Sequence, residues 1–248
     1  MTEGIRINKF LSEAGVCSRR EADRQIAAGM VTIDGVRAEI GSRVFPGQNV
    51  LFMGKAVQKE KEKILLAVHK PLGIVCTAEK REKDNIVDFV QYPKRIYPVG
   101  RLDKDSSGLI FMTNQGDIVN KMMRAQNMHE REYIVTVNKP LTDPFLRGLM
   151  GGVPLVELGV TTRTCHVEKL DKRKFRIILT QGYNRQIRRM CEYFGYRVEA
   201  LKRVRILNVR LGDLAPGAYR PVMGKEYETL LRMIAHSRNT SVMESGQN

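Results

Sequence analysis

The chain has 248 residues, 42% of them hydrophobic, enough to bury a core in one large domain or in a small domain joined to a medium one. Lysine and arginine outnumber aspartate and glutamate by 42 to 27, a formal net charge of +15, so a polyanion is the natural partner. The longest purely apolar run, Ile64 to Val68, is far too short to span a bilayer and the start lacks a secretory stretch, so the expectation is a cytoplasmic chain with no membrane partner.

Arg6 to Ala14 places Ile7, Phe10, Leu11 and Ala14 at helical spacing. A second helix opens at Ser18, where Ser18-Arg19-Arg20-Glu21 reads as a capping box, and stops at Gly29. Met30 to Ile33, the turn Asp34-Gly35 and Val36 to Ala38 predict a hairpin, with further short strands at Val44 and Val50 to Met53. Two helices feeding a few strands with Asp34-Gly35 between them resemble the alpha-L RNA-binding module first described in a small-subunit ribosomal protein. The resemblance implies RNA contact by Arg19, Arg20 and Arg24, with Lys9 nearby. The unit carries little net charge, nine basic against seven acidic residues over Met1 to Glu60. An Arg-Arg pair at a helix start nonetheless suits phosphate, because the backbone N–H groups there add to the side-chain charge.

Gln58 to Lys63 has no apolar anchor and reads as a linker. Beyond it, Ile64 to His69, Ile74 to Thr77, Leu109 to Thr113, Tyr133 to Val137, Val160 to Val167 and Phe175 to Leu179 are strand-like. Helical patterns cover Gly116 to Arg124, Asp143 to Met150, Asn184 to Phe194 and Lys225 to Ala235. The helices do not alternate one for one with the strands, which favours an α+β fold with a mixed, mainly antiparallel sheet. The expected division is a module over residues 1–60, a catalytic domain over 61–236 and a loose tail over 237–248.

Cys17, Cys76, Cys165 and Cys191 form no C-x-x-C pair, and the four histidines do not join them at metal-ligand spacing, so the thiols read as reduced and structural and no metal is expected. Neither G-x-G-x-x-G nor G-x-x-x-x-G-K-[ST] occurs, so neither a dinucleotide nor a nucleoside triphosphate cofactor is expected. A methyltransferase would need a glycine-rich loop after a strand, and none is seen.

Three segments carry chemistry. Gly100-Arg101-Leu102-Asp103 runs through Asp105-Ser106-Ser107 into Gly108-Leu109 at the start of a buried strand. An aspartate in such a loop is, taken alone, more often a turn former than a nucleophile. Tyr133 opens a strand and could be an ordinary half-buried tyrosine. In Gln181 to Met190, the residues Ile187, Met190, Cys191 and Phe194 share one helical stripe, so Arg185, Arg188 and Arg189 are expected at its edges or on the outer face. From Gly182 to Arg210 there are eight Lys/Arg against two Glu, a phosphate-scale concentration of charge.

Together these segments resemble the RNA pseudouridine synthases. The resemblance implies that Asp103 is the nucleophile and that Arg101 helps displace the base. Tyr133 packs against the target ring and is the candidate for moving a proton, Arg188 pairs with Asp103, and Leu201 borders the ring. Arg185 and Arg189 are left as substrate-binding candidates. It covers the chain from Arg6 to about Tyr227 and implies large-subunit ribosomal RNA as substrate, a tRNA as a second candidate, and no cofactor. Many relatives have N-T-x-G-L where this chain has Asp105-Ser106-Ser107-Gly108-Leu109. The rival from another class is a binding-only relative of the same fold, which has no reason to keep Asp103, Tyr133 and Arg188 together.

Overall fold

The computed structural model describes residues 4–58, 60, 62–79, 81–123, 127–235 and 237. Of the expected tail only Ser237 falls among them, and Lys59 and Lys61 of the expected linker lie outside them. The chain divides into two compact units, one made of Met1–Ile64, Tyr92–Ile96 and Asn114–Gly116, the other of Leu65–Gln91, Tyr97–Thr113 and Asp117–Asn248.

The first unit contains β1 (Ile5–Arg6), α1 (Ile7–Glu13), α2 (Arg19–Ala27), β2 (Val31–Ile33), β3 (Val36–Arg37), β4 (Arg43–Val44), β5 (Val50–Phe52) and β6 (Lys55–Ala56). Strands pair antiparallel in the order β3-β2-β5-β6, with β1 and β4 as a separate pair. Ile7, Leu11, Ala22, Ile26, Val31 and Val50 close a small core between the helices and the sheet. At α2 the Ser18 hydroxyl accepts from the Glu21 N–H at 3.2 Å. The Glu21 carboxylate takes Arg24 at 2.5 Å and Gln25 at 2.8 Å instead of reaching back, so the serine half of the capping box forms. The hairpin turn has positive φ at both Asp34 and Gly35, the geometry that matches strand twist. Asp34 also accepts from the Asn49 N–H at 2.8 Å, which fixes the next turn.

The second unit is built on a mixed sheet of nine strands. In chain order its elements are β7 (Leu65–Lys70), α3 (Ile86–Val90), β8 (Tyr97–Val99), β9 (Ser107–Thr113), α4 (Gly116–Met123), β10 (Arg131–Val137), α5 (Asp143–Gly151), β11 (Pro154–Leu155), β12 (Val160–Thr161), β13 (His166–Asp171), β14 (Lys174–Leu179), α6 (Gln186–Tyr193), β15 (Val198–Ile206), β16 (Val209–Arg210), β17 (Tyr219–Pro221) and α7 (Gly224–Ile234). The main path runs β13-β14-β10-β15-β9-β7-β17, with β16 on β15 and β8 on β9. Every pairing in it among the described residues is antiparallel except β15 with β9. One core gathers α5 and α6 on the β10, β14 and β15 side, through Val135, Phe145, Leu149, Phe175, Met190 and Cys191. The other gathers α4 and α7 on the β7 and β9 side, through Ala67, Phe111, Ile118, Met122, Leu230 and Ile234. The mainly antiparallel α+β architecture is the expected one.

Two strand expectations fail for identifiable reasons. Ile74–Thr77 forms only a bridge between Val75 and Asn85. Pro71 supplies no N–H, Gly73 turns the chain at φ 85, and Asn85 caps the short α3 instead, accepting from the Asp88 N–H at 2.8 Å. The run Val160 to Val167 is broken after Thr161, where the buried Thr162 hydroxyl accepts from the Val153 N–H at 2.9 Å and β13 starts afresh.

The parallel junction depends on Gly108. Gly108 lies opposite Arg203 in the register, at φ 109, and a Cβ there would stand 2.2 Å from the Arg203 carbonyl oxygen. Neither the space nor the backbone conformation admits a side chain. Gly108→Ala is expected to destabilise the protein by about 3 kcal/mol, from backbone strain and the forced parting of the two strands. Urea denaturation measures this, and an unchanged midpoint would show that the close approach is not required.

Candidate active site

The loop before β9 is assembled by backbone. Leu102 donates its N–H to the buried Cys76 sulfur at 3.3 Å, Gly73 donates to the Lys104 carbonyl at 2.8 Å, and Ser106 donates to the Asp103 carbonyl at 3.1 Å. Beneath it Lys70 is fully buried and donates to the carbonyls of Pro71 at 2.8 Å and Ile74 at 2.7 Å. Burial pulls the Lys70 ammonium below its ordinary range, against the opposing charges of the Asp103 and Asp105 carboxylates. Burial likewise pushes the Cys76 thiol up, Cys165 to about 11 and Cys191 to about 12, so all three favour the unreactive thiol form.

This loop forms one wall of a cavity of about 670 Å³. Arg101, Asp103, Tyr133, Arg185, Arg188 and Leu201 all line it. Strands β10 and β15 make the floor. Tyr133 and Arg203 are register partners, and Arg131 and Leu201 lie two residues along their strands on the same face. Side chains 30 and 100 residues away from Asp103 in sequence thus reach one space because β10, β15 and β9 are neighbours in the sheet.

Arg188 departs from expectation in two ways. The stripe pattern puts it at a helix edge, yet it is buried, because its long stem runs under the Asp105–Ser106 loop rather than into solvent. Its Nη2 lies 3.2 Å from the Asp105 carboxylate and donates to the Asp105 carbonyl at 2.7 Å, while Nη1 donates to the Val198 carbonyl at 3.2 Å. The arginine whose guanidinium approaches Asp103 is Arg185, at 3.7 Å, and it also holds Asp105 at 3.3 Å. Arg185 can do so because it precedes α6 in a left-handed conformation, φ 50, which swings its side chain back toward the loop. The implied ion pair with Asp103 therefore falls to Arg185, and Arg188 ties the loop to β15 through Asp105.

Arg189 turns away, donating to the Asn184 carbonyl at 3.1 Å and pairing with Glu157. In the other unit, Arg19, Arg20 and Arg24 are exposed on α2, and Lys9, half-buried, pairs with Glu13 at 3.5 Å. Arg131, Gln181 and Arg203 also line the cavity and were not singled out from the sequence. The period of two along the strands, from Tyr133 back to Arg131 and from Leu201 on to Arg203, was the signal that could have found the arginines.

Comparison with known proteins points one way. Residues 64–193 match a family model described as RNA pseudouridylate synthase, and residues 5–50 match the S4 domain. The dual-specificity RNA pseudouridine synthase RluF of Escherichia coli (strain K12) is 52% identical over 94% of this chain and 80% of its own length. Ribosomal large subunit pseudouridine synthase B of Bacillus subtilis (strain 168) is 33% identical, over 94% of this chain and 98% of its own. A solved pseudouridylate synthase structure superposes with a TM-score of 0.67 at 26% identity, covering 91% of this chain and 99% of that one.

The Arg188 contacts give a direct test. Arg188→Met should lower the unfolding free energy by about 2 kcal/mol, the worth of charge-assisted bonds to buried carbonyls. Arg188→Lys should recover little of it, because an ammonium cannot span the Asp105 and Val198 carbonyls as the planar fork does. Denaturant curves for the two variants decide, and full recovery by lysine would refute the bridging role.

Proposed function

Because the chain belongs to the RNA pseudouridylate synthase family and carries an S4 domain ahead of the synthase region, we propose that it isomerises uridine to pseudouridine in large-subunit ribosomal RNA, with Asp103 as nucleophile. The observation that carries the assignment is the convergence of Asp103, Tyr133, Leu201 and Arg101 on one cavity of about 670 Å³, with the Asp103 side chain 33% exposed and so reachable.

In this reaction the uracil leaves C1′, turns within the pocket and rejoins through C5, so nothing is oxidised and no cofactor is called for. Asp103 attacks at the sugar or at the base, Tyr133 packs against the ring and moves a proton, and Leu201 borders the ring. The target must leave its stack to enter, at a cost of a few kcal/mol, and Arg101 fills the vacated space. Part of that cost is offset by phosphate contacts from Lys9, Arg19, Arg20 and Arg24 and from the basic stretch that includes Arg185 and Arg189. The name of the Bacillus subtilis relative supports ribosomal RNA, and the dual specificity of the Escherichia coli relative supports a second RNA, for which a tRNA is the candidate. Among the described residues no helix is long and apolar enough to cross a membrane, and the proposed place of action is the cytoplasm.

Asp103→Asn keeps the shape of the side chain and removes its nucleophilic charge. Incubated with a large-subunit ribosomal RNA transcript, it should bind normally and form no pseudouridine, whereas repeated turnover would refute the assignment of the nucleophile. Replacing Arg19, Arg20 and Arg24 together with alanine should weaken RNA binding and reduce the slope of log affinity against log salt by about 2 to 3, one released counterion per lost phosphate contact. A slope identical to that of the unmodified chain would mean that these arginines face solvent only.

A further inference from the structure

Two tyrosines line the cavity, and Tyr133 alone has a part in the proposed reaction. Tyr133 lies on the floor strand β10, while Tyr183 stands in the loop between β14 and α6 and is 41% exposed. The exposed aromatic residues among the described ones are Phe45, Phe89, Tyr183, Tyr193 and Tyr219, and of these Tyr183 alone lines the cavity. Tyr193 packs edge-on against Phe194, with 5.0 Å between ring centroids. Among the described residues, no ring contact, ion pair or side-chain hydrogen bond engages the Tyr183 phenol. A large ring left open to water in a cavity wall forgoes its burial until a ligand covers it.

The backbone that carries this ring is fastened. The Tyr183 N–H donates to the Gln186 side-chain oxygen at 3.1 Å, and the Gln186 N–H donates to the Tyr183 carbonyl at 3.2 Å. Gln186 is itself buried, so the turn is pinned to the start of α6. Further along, Arg189 donates to the Asn184 carbonyl at 3.1 Å, and Arg185 is drawn to Asp105. On the other side Gly182 brings no side chain. A Cβ there would meet, outside its chain neighbours, only Arg131 Nη1 at 4.0 Å, so the space beside the ring stays open. A turn held in this way presents a flat apolar face with little ordering left to pay when a ligand arrives.

An exposed ring beside guanidinium groups is the pair of features by which proteins hold unstacked nucleotides: the ring takes the face of a base and the cation takes phosphate. Extruding the target uridine takes a stacking partner from the bases on either side of it. The target ring itself has Tyr133 and Leu201 beside it, which leaves Tyr183 for a neighbour. Resting on the isomerase assignment above, we infer that Tyr183 is a substrate-positioning residue whose ring stacks on the base next to the target uridine in the RNA chain. Every base has a π face, so this contact adds affinity and fixes the position of the strand without choosing a sequence.

The chain contains no tryptophan, so Tyr183→Trp introduces a single one whose emission reports on its own ring. The probes are synthetic RNAs spanning the uridine that the wild-type chain isomerises, either intact or with the base removed one position 5′ or one position 3′ of it. Binding the intact RNA should quench the tryptophan emission, and one of the two abasic RNAs, bound at saturation, should leave most of it unquenched. Tyr183→Ala should bind the intact RNA about tenfold more weakly, the worth of one base stacked on an aromatic ring, while Tyr183→Phe should match the wild type to within about twofold. Removing the stacked base should cost the wild-type chain a similar factor and cost Tyr183→Ala nothing further. A tyrosine with a merely structural role would show an abasic penalty equal in wild type and Tyr183→Ala. That result, emission that the intact RNA leaves unchanged, equal quenching by all three RNAs, or a phenylalanine variant as weak as the alanine one overturns this inference alone. A wild-type chain that isomerises no uridine of large-subunit ribosomal RNA overturns the isomerase assignment, and this inference with it.

Discussion

Where β15 runs beside β9, the Arg203 carbonyl stands so close to residue 108 that no side chain fits between them. This is the single parallel contact among the described residues of an otherwise antiparallel sheet, and the site is organised around it. It brings the strand that carries Leu201 and Arg203 against the strand that follows the Asp103 loop. It also puts the Tyr133 strand one position further out, so that Asp103, Tyr133, Leu201 and Arg203 line one cavity. Separate the two strands and each side chain keeps its chemistry while the cavity ceases to exist.

Charge then holds the loop on that frame. Asp105 receives Arg185 and Arg188, and Arg188 reaches through to the Val198 carbonyl at the start of β15. The loop bearing Asp103 is thereby fastened to the floor strand by hydrogen bonds as well as by the sheet. Asp103 itself stays partly exposed, with Arg185 3.7 Å away, a distance that leaves room for a substrate to displace or share the arginine. Lys70 supports the same loop from below by binding carbonyls, at the expense of burying an ammonium, which is why burial lowers its affinity for the proton. Rigid support around Asp103, the one carboxylate among the described residues that line the cavity, suits a group that must meet an extruded nucleotide in one geometry.

The sequence is most legible where local rules act alone. The Ser18 cap, the Asp34-Gly35 turn and the stripes of α5, α6 and α7 follow from residue type and spacing, and they appear where expected. The strands fail where a side chain competes with the backbone, as at Thr162 and Asn85, because such bonds carry no periodic signal. The partner of Asp103 was illegible for a different reason. Arg185 and Arg188 are both within one turn of the same helix start, and only the left-handed backbone at Arg185 decides which of them swings toward Asp103. Arg131 and Arg203 were hidden because only the pairing of β10 with β15 shows that their strands meet at the cavity.

The central claim is that this cavity receives a uridine of large-subunit ribosomal RNA. Mapping pseudouridines at single-nucleotide resolution in that RNA, from cells with and without the gene for this chain, tests it most directly. The account requires that deletion converts at least one pseudouridine back to uridine and that restoring the gene returns it. A large-subunit map identical in the two strains would contradict it.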